Sequence, residues 1–349
     1  MIIIVTVYKS ANYGSYLQAF MLYKALCKYG DVCFLDCGQR SYVGITDIRD
    51  SLGAILLRLD FKRVVSNIRR LLANKKMWSS LPRISIKEAN SLKDPFFILG
   101  SDEIWNISKR KNRQPVFWGR GLNGVISSYA PSINMANTEQ LVDFGATDYL
   151  ENMKAISVRD DYSLERLSEL TTKKIHKVLD PTLLFSKEKY QIEYPYQKLP
   201  FKYIAIYMFI GNKKDVYEET IKKFATEKKL KIVSIGTQVH WADLNLTSEQ
   251  AGTVPFLYYL DAEYVFTNTF HGTAFAINFE ANFVSYARTN KIKDLLNTFG
   301  LTRRDATNLE YSSVCNILSN PIDKAELKRK KFELQKQSFD YLSKIFDHD

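Results

Sequence analysis

Four side chains in this sequence stand where apolar, strand-like runs give out, and their types suit acid–base work on an anionic substrate. His271 follows the run Tyr264 to Thr267 through the polar turn Asn268-Thr269. It opens, with Phe270, Gly272 and Thr273, a helix-patterned stretch carried by Ala274, Phe275, Ile277 and Phe279. A strand feeding a helix through a short turn presents backbone N–H groups at the helix start, where a phosphate or carboxylate is attracted. The competing reading is a buried histidine in an ordinary α/β core. Asp102 follows the run Pro95 to Leu99 through Gly100-Ser101, where a strand end opens into a crevice, the usual place for chemistry in open α/β sheets. It could instead cap a helix. Trp105, three residues on, is either a core anchor or a platform for a sugar ring. Arg159 ends the run Lys154 to Val158 ahead of Asp160 and Asp161, and Arg288 ends Asn282 to Tyr286 in the same way. A guanidinium so placed can fork a phosphate or carboxylate, although Arg159 could equally pair with Asp160 or Asp180.

The elements that must position these groups alternate along the chain. Ile2 to Val7 is a continuous β-branched run, as expected of a strand covered on both faces. The turn Asn12-Tyr13-Gly14-Ser15 leads into helical spacing, with Asn12 or Ser15 as cap and Gly14 allowing close approach of a ligand. Val32 to Asp36 completes a βαβ opening without a GxGxxG fingerprint, so no dinucleotide is inferred. Val125 to Ala130 reads as a further strand, and Lys177 to Thr182 as a strand with an Asp-Pro turn. Residues 186–200, polar, tyrosine-rich and bounded by prolines, read as a linker. The alternation restarts at Tyr203 to Phe209 (strand), Asp215 to Glu227 (helix) and Lys231 to Ile235 (strand), and a long charged helix covers Ile322 to Phe346. The expected organisation is α/β: an N-terminal Rossmann-like domain over 1–185 on the acceptor side, the linker, a C-terminal Rossmann-like domain over 201–320 on the donor side, and the helix within 321–349. Two such domains would face each other across a cleft.

Composition bounds the alternatives. The chain has 349 residues, with 46% hydrophobic and 25% charged, an ordinary soluble balance with room for two cores. Its net charge of +11, from 49 basic and 38 acidic residues, favours acidic partners. The basic residues lack the aromatic interleaving or recognition-helix pattern of a nucleic-acid binder, so no nucleic acid is expected. Cys27, Cys33, Cys37 and Cys315 form no CxxC pair, which supports neither a disulfide framework nor a zinc site and fits a reducing compartment. The N-terminal run reads as a first strand and not as a signal peptide, and no apolar run approaches the ~20 residues that span a bilayer. A cytoplasmic protein is expected. Residues 49–78 interleave apolar positions with Arg58, Lys62, Arg63, Arg69, Arg70, Lys75 and Lys76. Such a basic amphipathic segment can lie on the inner face of an anionic membrane or pack a core with its basic face solvated. No HxxH pair, carboxylate cluster or GxSxG elbow points to a metal or a serine nucleophile.

Taken together, the segments NYGSYLQAF (12–20), FILGSDEIWN (97–106), SSYAPSI (127–133), ISVRDDYSLERL (156–167), VLDPTLLF (178–185), YVFTNTFHGTAFAINF (264–279) and ARTNKIKDLLNTFGL (287–301) resemble the polysaccharide pyruvyl transferase family in order and spacing. The resemblance implies a fold like that of GT-B glycosyltransferases. It also implies transfer of pyruvyl from phosphoenolpyruvate (PEP) onto two hydroxyls of a sugar, giving a cyclic ketal on a surface or capsular polysaccharide precursor, with no further cofactor. The family's acid position falls on Asp102, its arginine on Arg159 and its histidine on His271. Substrate binding would then draw on Asn12, Tyr13, Gly14, Ser101, Trp105, Asn268, Thr269, Phe270, Gly272, Thr273 and Arg288. One departure stands out: many members carry an arginine two residues before the histidine, where this chain has Thr269. Arg288 would have to substitute, or the donor would differ. The remaining alternative is a GT-B-like glycosyltransferase using a nucleotide sugar.

Overall fold

The computed structural model describes residues 1–10, 12–37, 75, 78–108, 114–194, 196–209, 216–236, 239–246 and 254–347. The basic segment at 49–78 therefore lies almost wholly outside the described residues. The described residues form two compact units, one built from those up to Leu184 except Lys75, together with Phe332 onward, the other from Lys75 and Phe185–Lys331.

In the first unit the apolar runs become parallel strands: β1 (Ile2–Val5), β2 (Val32–Asp36), β3 (Arg83–Ser85), β4 (Phe96–Leu99) and β5 (Val125–Ser128). Their order is β3-β2-β1-β4-β5, the doubly wound arrangement. The chain turns back between β1 and β4, which pair in register from Ile2 with Phe96 to Val5 with Leu99. Ile3, Val5, Phe97 and Leu99 are fully buried, as strands covered on both faces require. A second parallel pair, β6 (Ile156–Val158) and β7 (Ile175–Lys177), continues from β5 through a bridge between Ser127 and Ala155. Helices α1 (Tyr13–Leu26), α2 (Ile86–Asn90), α3 (Thr138–Asp143), α4 (Ala146–Glu151) and α5 (Asp161–Ser168) complete this part of the unit. Asn12, and not Ser15, caps α1, its Oδ1 accepting from Gly14 N at 2.9 Å.

The second unit repeats the plan. Strands β8 (Tyr203–Tyr207), β9 (Lys231–Ile235), β10 (Leu244–Leu246), β11 (Tyr264–Thr267) and β12 (Phe283–Ser285) lie in the order β10-β9-β8-β11-β12, all parallel. Its helices are α6 (Lys187–Glu193), α7 (Val216–Lys228), α8 (Phe270–Asn278), α9 (Asn290–Thr298) and α10 (Tyr311–Ser319). The segment expected as a linker thus carries α6, capped by Ser186. The turn of the winding falls between β8 and β11, at whose carboxyl end α8 begins. The last helix, α11 (Lys324–Phe346), belongs to the first unit from Phe332 onward. There Tyr341 donates to Ser128 O at 2.8 Å and Ser338 Oγ accepts from Leu179 N at 2.9 Å. Among the described residues no helix is long and apolar enough to cross a membrane.

Candidate active site

In the first unit the carboxyl ends of β1 and β4 meet at the point where the winding reverses, and the loop after β4 carries Asp102. Thr6 Oγ1, just past β1, donates to Ser101 O at 2.8 Å. Ser101 Oγ donates to Gln18 Oε1, and Gln18 Nε2 reaches Val7 O at 3.2 Å. Ser101 is therefore wholly buried and ties β1, α1 and the loop together; the substrate-binding place expected of it is not where its hydroxyl lies. Gly100 makes the turn possible. It has φ +127°, and a Cβ there would sit 2.1 Å from Tyr129 O. Asp102 follows with φ +77° and pairs as a bridge with Pro131, so no helix starts at it.

The Asp102 side chain is 16% exposed and leans on Arg159, which stands at the end of β6 with its Nη2 at 3.6 Å from Asp102 Oδ1. Arg159 Nη1 donates to Asp180 Oδ2 at 2.9 Å, and both of those side chains are 1% exposed. Asp180 is itself held by Thr182, whose N–H and Oγ1 donate to Oδ1 at 3.1 and 2.7 Å. Burial pulls the Arg159 pKa down, but the carboxylates of Asp180, Asp102 and Asp160 outweigh it and leave the guanidinium above its ordinary range. The guanidinium expected to fork a donor anion is thus occupied by carboxylates of its own chain. Its Nη1 faces Asp180 and its Nη2 faces Asp102. Glu103 adds a carboxylate beside it, Oε2 accepting from Asn134 Nδ2 at 2.8 Å.

Trp105 requires a correction of the same kind. It has no exposed surface: its ring stacks on Trp118 at 4.6 Å and its Nε1 donates to Phe117 O at 2.8 Å. A sugar-ring platform must face solvent, and Trp105 instead packs the core beneath the Asp102 loop. Tyr13 and Gly14 are likewise buried in the first turn of α1, while Asn12 is half-buried at its start.

In the second unit the equivalent point lies at the ends of β8 and β11. Thr267 Oγ1 donates to Tyr207 O at 2.7 Å, closing the two strand ends together. Asn268 then spends both amide atoms on one residue: Phe209 N donates to its Oδ1 at 2.8 Å, and its Nδ2 donates to Phe209 O at 3.1 Å. Its role is to fix the chain after β8. Thr269 caps α8, Oγ1 accepting from Gly272 N at 2.9 Å. The first bond of the helix runs from Thr273 N to Thr269 O at 3.0 Å, so the N–H groups of Phe270 and His271 stand ahead of the ladder, where the helix field favours an anion. His271 is 8% exposed, with the Phe270 ring perpendicular to it at 5.2 Å. Gly272 is a close-approach position: a Cβ would lie 2.1 Å from Thr267 Oγ1 and 2.7 Å from Thr269 Oγ1. Thr273 Oγ1 donates to Thr269 O at 2.9 Å and lies 2.7 Å from Ser285 Oγ, fastening α8 to β12.

Arg288 is exposed past the end of β12, the strand beside β11, its N–H donating to Tyr286 O at 2.8 Å. Lys291, in the first turn of α9, places its ammonium 5.8 Å from the Phe270 ring centre. Sequence reasoning passed over Lys291, although it lies inside the segment 287–301; its position against Phe270 is set by packing and had no local signature. Among the described residues no group of three or more His, Cys, Asp or Glu side chains could hold a metal.

The family described as polysaccharide pyruvyl transferase matches residues 12–290. The chain belongs to that family. It is a transferase by membership, of a family associated with polysaccharide pyruvylation. No curated protein matches it. Among solved structures it is similar to a Staphylococcus aureus MnaA–UDP co-structure (TM-score 0.52, 9% identity, covering 98% of this chain and 94% of that one). It is also similar to a putative UDP-N-acetylglucosamine 2-epimerase from Listeria monocytogenes (TM-score 0.51, 7% identity, 96% and 90% covered). A third is the glycotransferase of kitacinnamycin (TM-score 0.50, 10% identity, 99% of each chain covered). At such identities the likeness is one of fold, and the fold is the GT-B-like α/β architecture of parallel sheets.

Proposed function

We propose that this pyruvyl transferase takes its group from PEP and closes a cyclic ketal on two hydroxyls of a galactose-type sugar, in a surface or capsular polysaccharide precursor. The observation that carries the reading is Asp102: a partly exposed carboxylate, fixed by a buried cation, at a strand-end switch point in a chain of this family. Asp102 takes the proton of the first sugar hydroxyl as it attacks C2 of PEP. His271 delivers a proton to the PEP methylene, which becomes the methyl of the ketal. The second hydroxyl then displaces phosphate, which leaves with that hydroxyl's proton, and the proton held on Asp102 passes through solvent to His271, restoring both groups. The first-turn N–H groups of α8, with Arg288 and Lys291, supply positive potential for the donor's carboxylate and phosphate. Arg288 and Lys291 thereby answer for the arginine that Thr269 replaces.

The test is incubation with PEP and a panel of galactosyl acceptors, reading released phosphate and product mass. Thermal shift adds a second arm: PEP should stabilise the protein and UDP or GDP should not. Stabilisation by UDP or GDP, with no phosphate released from PEP, would replace this reading with nucleotide-sugar transfer. A lipid-linked acceptor at the inner membrane face belongs to the same proposal, motivated by the basic composition of 49–78. Liposome co-sedimentation of wild type against a Lys/Arg-to-Gln variant of that segment checks it, and equal sedimentation of the two would remove it.

A further inference from the structure

We infer that Asp180 is a positioning residue for Asp102, acting through Arg159, which makes Asp180, Arg159 and Asp102 one catalytic relay of orientation. The inference rests on the reading of Asp102 as the base. Of the two carboxylates on Arg159, only Asp102 has solvent access, at 16% against 1% for Asp180. Asp180 cannot itself meet a substrate. Yet it makes the shorter of the two contacts, 2.9 Å against 3.6 Å, and so sets where the guanidinium lies. Its own position is fixed on every side. Thr182 holds Oδ1 through a backbone and a hydroxyl donor. The preceding residue is clamped at both backbone atoms, Leu179 O accepting from Tyr129 OH at 3.0 Å and Leu179 N donating to Ser338 Oγ.

A planar guanidinium anchored at one Nη can offer the other in only one direction. Anchored on Asp180, Arg159 turns Nη2 toward Asp102 Oδ1, which also accepts from Glu103 N at 2.8 Å. Both constraints fall on Oδ1. That leaves Oδ2 as the oxygen that takes the acceptor's proton. The Asp-Pro-Thr turn in VLDPT is therefore the rear support of the base, and its carboxylate also balances the buried cation so that Asp102 is not forced to do so alone.

The experiment is a double-mutant cycle on turnover, with Asp180→Asn made in the wild type and in Asp102→Asn and measured at steady state over a range of PEP concentrations. In the wild-type background Asp180→Asn should lower kcat about tenfold or more while the KM for PEP changes less than about threefold. In Asp102→Asn the same change should cost less than about twofold, because the side chain it positions is already disabled. Equal losses in both backgrounds would mean a merely structural role and would overturn the inference. An assay-independent arm uses ¹⁵N spectra of the arginine side chains, with Arg159 assigned through Arg159→Lys. Two distinct, slowly exchanging Nη groups are expected in the wild type, merging by rotation in Asp180→Ala. Unmerged signals in that variant overturn the relay. If the wild type releases no phosphate from PEP with any acceptor, the functional reading fails, and the spectra alone decide whether Asp180 orients Arg159.

Discussion

Past the ends of β4, β6 and β7 the first unit gathers carboxylates around one buried guanidinium; at the ends of β8 and β11 the second gathers hydroxyls, an amide and an imidazole around one helix start. The two sheets have the same strand order and the same reversal point. They differ in the segment that leaves the inner strand. After β4 comes a loop with a glycine at φ +127° and an aspartate at φ +77°, so a side chain supplies the chemistry. After β11 comes α8 directly, capped by Thr269, so the backbone supplies part of it. The lesson is that one topology offers two kinds of site: a partly exposed carboxylate held beside a buried guanidinium, and a helix start, suited to holding anions.

The comparison can be broken most forcefully at Asp102. Asp102→Asn should cut turnover by roughly 10²–10⁴-fold, the range for a lost general base, with the melting temperature nearly unchanged. A variant that kept wild-type turnover would strip the first unit of its assigned part. Next come the two arginines, one from each unit. Arg159→Ala removes the guanidinium from the buried Asp180 and Asp102 carboxylates and should cost about 3–5 kcal/mol in urea unfolding. Arg288→Ala, exposed, should stay within about 0.5 kcal/mol while weakening PEP binding. Equal destabilisation by both would erase the contrast between a buried structural cation and an open one.

Alkali sharpens the account of the first unit. Burial pushes the Tyr16 hydroxyl up from 10.0 to about 12, and burial chiefly pushes the Cys37 thiol up from 9.0 to about 11. Between pH 9 and 12 the unfolded chain loses these protons before the folded one, so it binds fewer protons and stability must fall as pH rises. The loss is on the order of 2–3 kcal/mol for each group at most. Chemical denaturation across that window checks it, and a flat profile would contradict the burial. In the second unit, Gly272→Ala forces a methyl against two threonine hydroxyls and should cost about 1–3 kcal/mol. Its PEP-induced thermal shift should shrink with it, since the Thr269 cap must move. An unaltered shift would separate the cap from the anion site.

Much of the architecture was legible in the sequence because parallel strands buried on both faces are nearly unbroken apolar runs. Val32–Asp36, Lys231–Ile235 and Tyr264–Thr267 match their runs residue for residue. The edge strands β3 and β10 escaped notice because their three residues each, Arg-Ile-Ser and Leu-Asn-Leu, need cover no second face. Helix α6 escaped because its polar, tyrosine-rich stretch resembles a loop in composition. At the candidate site, strand ends pointed to Asp102, Arg159 and His271, and the pairing of Arg159 with Asp180 stood among the alternatives. What sequence cannot carry is direction. Trp105 and Ser101 turn inward, and Asn268 spends its amide on Phe209, through contacts with residues far off in the chain. The joining of Asp180 to Asp102 through one guanidinium is likewise a fact of packing.

The most direct measurement is the stoichiometry of phosphate release against ketal formation with PEP and a galactosyl acceptor, for wild type, Asp102→Asn and His271→Ala. The account predicts one phosphate per ketal in the wild type and near-complete loss of both products in each variant. Wild-type turnover in both variants, or ketal formed without phosphate from PEP, would contradict it.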